Sequence, residues 1–192
     1  MYALILSTAV IFVAELGDKS QLMAMTFATR YRTRDVLIGI TAATALVHLA
    51  SVAIGHYVGA AFASSQWIIS LVAGVAFLVF AAWTLRGDEL SAEEADKARK
   101  SQGAALLAVG TAFFLAELGD KTMLATITLA ADHNWLGVWI GSTVGMVAAD
   151  ALAIVLGAVL GKKLPERVIK IVASLAFLVF GVILIIEGLT SR

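Results

Sequence analysis

The residues best suited to chemistry in this chain are two acids and a lysine that occur twice, each time inside a long apolar stretch. The first copy, residues 14–20, reads AELGDKS, and the second, residues 116–122, reads AELGDKT. An ionisable side chain in an apolar membrane segment is unfavourable and therefore indicates a functional site by default. Carboxylates at this density are suited to binding a hard divalent cation.

The candidate ligand atoms in and beside the two copies are all oxygens. Such sites suit Ca²⁺, Mg²⁺ or Mn²⁺, whereas zinc and copper sites usually contain cysteine or clustered histidine. The four carboxylates carry four negative charges and the two lysines two positive ones, so one divalent cation would neutralise the group. The residues that we predict to bind the metal are Glu15, Asp18, Ser20, Gln21, Glu117, Asp120 and Thr122.

The two lysines also have a structural explanation. Lys19 and Lys121 could each pair with the acids of their own copy and hold helices in register. One lysine cannot neutralise two carboxylates, however, and a repeated surplus of buried charge favours function over packing. We therefore place both lysines beside the predicted site.

The composition shows what kind of element must position these residues. The chain has 192 residues, of which 60% are hydrophobic and 15% charged, with one proline, and its mean hydropathy is +0.93. This predicts an all-α integral membrane protein with lipid as a partner. The net charge is zero, which gives no support for nucleic-acid binding, and the absence of cysteine excludes disulfides and thiolate metal sites.

Six apolar runs are long enough to cross a bilayer, at about 20 residues each. The predicted transmembrane helices are Tyr2 to Ala28, Val36 to Ala63, Trp67 to Leu85, Ala104 to Ala131, Trp135 to Gly161 and Val168 to Leu189. The N-terminus lacks the positive segment of a signal peptide, so we expect the first run to be a membrane helix. A charged stretch between the third and fourth helices predicts a solvated linker.

The chain contains an internal repeat. Besides the motif, the glycines at 39, 55 and 59 recur 102 residues later at 141, 157 and 161. We therefore predict a first three-helix repeat at 1–86, a linker at 87–103 and a second repeat at 104–192. Because three is an odd number of helices, the second repeat would enter the membrane from the opposite side. Inverted repeats are typical of secondary transporters, whose sites lie near the midplane.

The distribution of basic residues predicts the orientation. Eleven of the 14 lysines and arginines fall on one side of the six predicted helices: Arg30, Arg32, Arg34, Arg86, Lys97, Arg99, Lys100, Lys162, Lys163, Arg167 and Lys170. Positive loops face the cytoplasm. The linker should therefore be cytoplasmic, and both termini should face outward.

The local geometry of the motif has two possible forms. On an ideal helix at about 100° per residue, Asp18 lies 60° to one side of Glu15 and Lys19 lies 40° to the other, so all three share one face. Gly17 and Gly119 would then allow a neighbouring helix to approach closely. Alternatively, the helix is opened at the glycine and its backbone carbonyls join the site.

Two further polar residues occupy equivalent positions in the second helix of each repeat. His48 and Asp150 are 102 residues apart, and each lies near the centre of an apolar run. Both side chains titrate, so we predict a role in proton coupling or around the metal site. For His48, a hydrogen bond to a neighbouring helix is an equally good explanation.

The doubled pattern Glu-x-Gly-Asp-Lys-Ser/Thr, once in each half of a six-helix protein, resembles the GDT family of cation exporters. The resemblance implies Mn²⁺ and Ca²⁺ transport, usually extrusion from the cytoplasm with proton antiport. The family's motif acids correspond to Glu15, Asp18, Glu117 and Asp120, and the accompanying positions are Lys19, Ser20, Lys121 and Thr122.

One position departs from the family pattern. Many members have glutamine directly after the motif hydroxyl. The first copy keeps this glutamine as Gln21, but the second copy has Met123 in its place. A thioether is a poorer ligand for Ca²⁺ than for a softer ion, which favours Mn²⁺. The short chain resembles bacterial members, so we expect the plasma membrane of a bacterium.

The predicted function is a secondary transporter that exports a divalent cation, with Mn²⁺ favoured and Ca²⁺ as the alternative, in exchange for protons. We expect alternating access around a midplane carboxylate site and no cofactor. A divalent-cation channel without proton coupling and an amino-acid or organic-cation exporter are the alternatives. An intramembrane enzyme ranks last because no nucleophile or substrate pocket can be named. The oligomeric state is left open.

Overall fold

A computed structural model describes residues 1–86, 105–160 and 166–191, and the predicted linker at 87–103 lies outside these ranges. Within them the chain forms α-helices, short turns and one 3₁₀ turn, with no strand. The helices are α1 (Tyr2–Glu15), α2 (Lys19–Ala28), α3 (Thr33–Ala61), α4 (Gln66–Arg86), α5 (Ala105–Glu117), α6 (Lys121–Asp132), α7 (Trp135–Leu160) and α8 (Glu166–Thr190). The predicted all-α class is therefore confirmed.

In the part of the chain that the structure describes, four helical segments are long and apolar enough to cross a membrane. They are Thr33–Ala61, Ala63–Arg86, Trp135–Ala158 and Lys170–Thr190, and they correspond to four of the predicted helices. The other two predicted helices are not continuous. Each is divided into two shorter helices at the motif, α1 with α2 and α5 with α6.

The helices of the two halves pack against each other in corresponding pairs. Helices α1 and α2 pack on α7, and α5 and α6 pack on α3. Helix α4 packs on α8, and α3 also contacts α7. Exchanging each helix for its equivalent in the other half reproduces these contacts, whereas the contacts of α4 with α6 and of α1 with α8 have no counterpart of similar extent among the described residues. The sequence repeat is thus a repeat of packing as well.

Aromatic rings fill the contact between α4 and α8. The rings of Phe77 and Phe177 have centroids 5.8 Å apart, and those of Phe80 and Phe177 are 5.9 Å apart. The Ser174 hydroxyl donates to the carbonyl of Ala81 at 2.8 Å, which satisfies a polar group inside this apolar contact. These two helices form a packed unit beside the motif-bearing helices.

Glycine permits the closest approach of α3 to α6 and of α7 to α1. A Cβ atom at Gly55 would lie 2.2 Å from the carbonyl oxygen of Ile127, and one at Gly141 would lie 2.4 Å from that of Leu4. Any side chain at these two positions would force the helices apart. Small residues at helix contacts are a common device in membrane proteins, and here they bring the divided helices against α3 and α7.

Candidate functional site

Both copies of the motif contain a break between two helices. Helix α1 ends at Glu15, Leu16 is extended, and Gly17 has φ +76°; the corresponding glycine, Gly119, has φ +81°. A positive φ is favourable only for glycine, since a Cβ would clash with the backbone. The placement of both motifs on one ideal helix face is therefore wrong, and the open-helix alternative is the one that the structure adopts.

Replacing Gly119 by alanine tests this backbone geometry directly. A Cβ there would meet no atom within 4 Å, so the only cost is the left-handed backbone conformation, about 1–2 kcal/mol. We expect Gly119→Ala to lower the melting temperature of the purified protein. Gly110→Ala is the matched control, because its Cβ would make only an ordinary 3.7 Å contact with the carbonyl of Gly39. An equal effect of the two substitutions would contradict the prediction.

The two glutamates end the first helix of each pair and point into the protein. Glu15 and Glu117 are both fully buried. The Ser20 hydroxyl donates to Glu15 Oε1, and the Thr122 hydroxyl donates to Glu117 Oε2 at 3.0 Å. The motif hydroxyl thus reaches back across the break and holds the acid that precedes it.

In each glutamate, the second carboxylate oxygen makes no hydrogen bond to the described residues. Within the ranges that the structure describes, Glu15 Oε2 and Glu117 Oε1 have no hydrogen-bond partner. A buried carboxylate oxygen without a partner is unfavourable unless a ligand or a proton satisfies it. These two oxygens are therefore suited to accept a cation or a proton.

The two aspartates begin the second helix of each pair. Asp18 is the N-cap of α2 and accepts the N–H of Ser20 at 3.3 Å, and Asp120 occupies the same place before α6. Both side chains are buried. A carboxylate at a helix N-terminus is stabilised by the helix dipole, which explains how the chain accommodates an acid at this depth.

Lys121 connects the two copies. This residue is 2% exposed, and its ammonium group forms an ion pair with Asp18 of the other copy. The structural alternative in which each lysine pairs only with acids of its own copy is therefore wrong for Lys121. Lys19, the equivalent residue, is half-buried. The pair links the start of α2 to the start of α6 and so joins the two halves at the motif.

Both polar atoms of the Gln21 side-chain amide form hydrogen bonds with backbone groups. Its Oε1 accepts the N–H of Gly17 at 2.8 Å, and its Nε2 donates to the carbonyl of Ala149 on α7 at 2.9 Å. In the second copy, the sulfur of Met123 accepts the N–H of Gly119 at 3.2 Å. Both residues thus support the helix break from the same position, four residues after the glycine.

His48 and Asp150 lie on α3 and α7, and both are fully buried. Neither the imidazole nitrogens nor the carboxylate oxygens have a hydrogen-bond partner among the described residues. Asp150 interacts electrostatically with Asp18, Glu15 and Glu117. The two positions are equivalent in the sequence repeat. In the structure, Asp150 lies close enough to the motif acids for like-charge repulsion.

One contact between the halves was missed by the sequence analysis. The Thr44 hydroxyl donates to the sulfur of Met146 at 3.2 Å, and both side chains are fully buried. The two positions are themselves 102 residues apart, so each is the other's equivalent in the repeat. Two equivalent positions that touch must lie where the halves meet, and the repeat spacing was the available signal.

The buried acids lie near one another but are not arranged as a metal site in this conformation. Among residues 1–86, 105–160 and 166–191, no three acidic or histidine side chains are close enough to hold a metal ion together. The candidate site therefore consists of two half-sites, one at each break, joined by the ion pair between Lys121 and Asp18.

Comparison with known proteins identifies the family of the chain. The chain matches the family described as "Divalent cation/proton antiporter GDT1" over residues 3–92 and 105–192. It belongs to the GDT1 family. The predicted resemblance is thus confirmed, and the matched regions cover nearly all of both predicted repeats. The family is described as one of transporters, as predicted, and not of enzymes, and its description makes the divalent cation a transported substrate instead of a cofactor.

Several relatives of the GDT1 family align with much of the chain. A Vibrio cholerae protein named "Putative manganese exporter" is 38% identical over 135 residues, which cover 69% of this chain and 64% of the relative. A GDT1-like protein of Synechocystis is 31% identical over 191 residues, covering 90% and 91%. Protein PAM71 of Arabidopsis thaliana chloroplasts is 32% identical over 205 residues, but the match covers 55% of its length. No solved structure matches the chain.

Proposed function

We propose that this GDT1 protein exports a divalent cation across a bacterial plasma membrane in exchange for protons, with Mn²⁺ favoured over Ca²⁺. The family description supports a divalent cation and a proton as partners. The name of the Vibrio cholerae relative supports manganese and export, and that relative and the Synechocystis protein support a bacterial membrane. The composition of the ligand set, all oxygen, is consistent with either ion.

The observation that carries the proposal is the pair of helix breaks. Each break places a buried glutamate at the end of one helix and a buried aspartate at the start of the next. Discontinuous helices of this kind form substrate and ion sites in secondary transporters. We propose that Glu15, Asp18, Glu117 and Asp120 bind the cation when the two half-sites approach each other.

The remaining polar residues support these four acids in the proposal. Ser20 and Thr122 hold the glutamates, and Lys19 and Lys121 balance the charge of the acids when no cation is bound. Gln21 remains a candidate ligand through its carbonyl oxygen, which would first have to leave the N–H of Gly17. His48 and Asp150 are proposed to act in proton coupling or around the metal.

The proposed architecture is six membrane crossings in two inverted repeats, 1–86 and 104–192, with a cytoplasmic linker at 87–103. Each divided helix then counts as one crossing, since α1 and α2 together are as long as a bilayer requires. The exchange of contacts between equivalent helices supports two related halves. Alternating access would follow if one half rocks against the other around the breaks.

The orientation can be tested with single cysteines because the natural chain contains none. Ser64 lies between α3 and α4, and Thr29 lies between α2 and α3, and both are exposed. With both termini outside, a membrane-impermeant maleimide added to intact cells is expected to label Ser64→Cys and to label Thr29→Cys only after the membrane is permeabilised. The opposite labelling pattern would indicate the inverted topology. Labelling of both cysteines in intact cells would rule out the proposed crossings.

Proton coupling follows from the energetics of export. Moving one net positive charge outward against a potential that is negative inside costs about 2.3 kcal/mol per 100 mV. Export of a divalent cation without a net charge movement therefore requires two protons inward. The four motif acids provide enough sites for them.

The direct test is flux of ⁵⁴Mn²⁺ and ⁴⁵Ca²⁺ into proteoliposomes with and without an imposed pH gradient. We expect the gradient to drive metal accumulation, because antiport converts the proton gradient into a metal gradient. Metal flux that is the same with and without the pH gradient would indicate a channel instead. Inhibition of flux by amino acids with no metal transport would indicate an organic-solute exporter.

A further inference from the structure

The two helix breaks differ at the residue four positions after the glycine. The Gln21 amide both accepts from Gly17 at 2.8 Å and donates to the Ala149 carbonyl of α7 at 2.9 Å. Met123 offers only its sulfur, which accepts from Gly119 at 3.2 Å. A thioether sulfur is a weak acceptor and has no proton to donate. From this position, therefore, only the first break is bonded to a neighbouring helix.

The residues at the two breaks also differ in their exposure. Leu16 and Gly17 are half-buried, while Leu118 is 49% exposed and Gly119 is also exposed. At these two positions the first break is thus less exposed than the second, and it is the first that Gln21 bonds to α7.

We infer that Gln21 acts as a positioning residue instead of a metal ligand: it locks the first helix break onto α7, and the second break, at Gly119, is the one that moves during transport. Ala149 directly precedes Asp150, so the same lock fixes the first motif relative to the acid that interacts with Asp18. The first half-site would then be preformed, and the second would close onto a cation bound there. This inference rests on the proposed transport function.

Hydrogen exchange tests the lock without reference to transport. In the purified full chain, peptides that cover residues 14–22 are expected to exchange more slowly than peptides that cover residues 116–124. One net hydrogen bond corresponds to about 2- to 12-fold in exchange rate. Gln21→Met should raise exchange at the first break to that of the second, and Met123→Gln should slow exchange at the second. Equal exchange at the two breaks in the natural protein would overturn the inference.

Matched variants distinguish the loss of a positioning hydrogen bond from a general loss of stability. Met123→Leu keeps the apolar shape of the second position but removes its sulfur acceptor. Gln21→Glu keeps an acceptor for the N–H of Gly17 but removes the donor to Ala149, so it tests the lock if Gln21→Met fails to fold. Melting temperatures of all variants identify any that are simply unfolded.

Kinetics of Mn²⁺ flux give the second readout. Gln21→Met is expected to raise KM by about 2- to 12-fold with little change in the maximal rate, because the preformed half-site loosens. Met123→Gln is expected to lower the maximal rate by a similar factor, since the moving break becomes harder to move. Equal effects of Gln21→Met and Met123→Leu on KM would overturn the inference. Slow exchange at the first break in a protein without gradient-driven flux would instead support the lock and contradict the proposed antiport.

Discussion

Replacing Glu15 by glutamine, or Glu117 by glutamine, is expected to reduce gradient-driven Mn²⁺ flux by about 30-fold or more. The estimate follows from the loss of a buried, hydrogen-bonded charge, about 2–5 kcal/mol, if that charge binds the cation. Glutamine has nearly the same shape as glutamate, and its carbonyl oxygen can still accept the bond from Ser20 or Thr122. The local fold should therefore survive while the charge at the half-site is lost.

The measurement is initial ⁵⁴Mn²⁺ flux in proteoliposomes with an imposed pH gradient. Glu187→Gln is the control, because Glu187 lies exposed near the end of α8, away from both breaks, and its flux should equal that of the natural protein. Loss of flux in both motif variants would support one pathway that uses both half-sites. Normal flux in either variant would show that its glutamate does not bind the transported ion.

Replacing Lys121 by methionine is expected to have the second large effect. The substitution leaves Asp18 buried without the cation that it pairs with across the two halves. Removing one partner of a buried ion pair typically destabilises a protein by about 3–5 kcal/mol. We therefore expect a clear drop in melting temperature in detergent, together with loss of Mn²⁺ flux.

The double variant Asp18→Asn/Lys121→Met separates stability from transport. With both charges removed, the penalty of a lone buried carboxylate disappears, so much of the melting temperature should return. Flux should not return, because a proposed ligand of the cation is missing. If flux recovers together with the melting temperature, the pair serves only to hold the two halves together. If Lys121→Met alone leaves both quantities unchanged, the ion pair has no measurable role.

The GDT1 assignment explains why these tests centre on a small part of the chain. The matched regions cover nearly all of both predicted repeats, yet among the described residues the features that distinguish this protein from an ordinary helix bundle are the two breaks and the buried polar side chains of His48 and Asp150. The packing of α4 on α8 is apolar and aromatic, and it provides a scaffold for the motif helices. Function in this protein is therefore expected to depend on a few buried polar groups, with the rest of the chain supporting them.

The amino-acid sequence alone was enough to identify the all-α class and the family of the protein, and it predicted the repeat and the site residues. Apolar runs of membrane length predict helices because a backbone in lipid must satisfy its hydrogen bonds internally. The boundaries of four helices were correct to within a few residues, as for the predicted run from Trp67 to Leu85 and the observed helix Gln66–Arg86. The acids were identified because charge in an apolar run is rare and was repeated at a constant spacing.

Tertiary structure alone decided how those residues are arranged. A glycine after a glutamate is compatible with a close helix contact or with a break, and only the surrounding packing selects the positive φ of Gly17 and Gly119. Lys121 pairs with Asp18, 103 residues away, because the start of α6 packs near the start of α2, which no local pattern specifies. Gln21 likewise reaches Ala149 across 128 residues of sequence. Local sequence determines which groups are available, and long-range packing determines which of them meet.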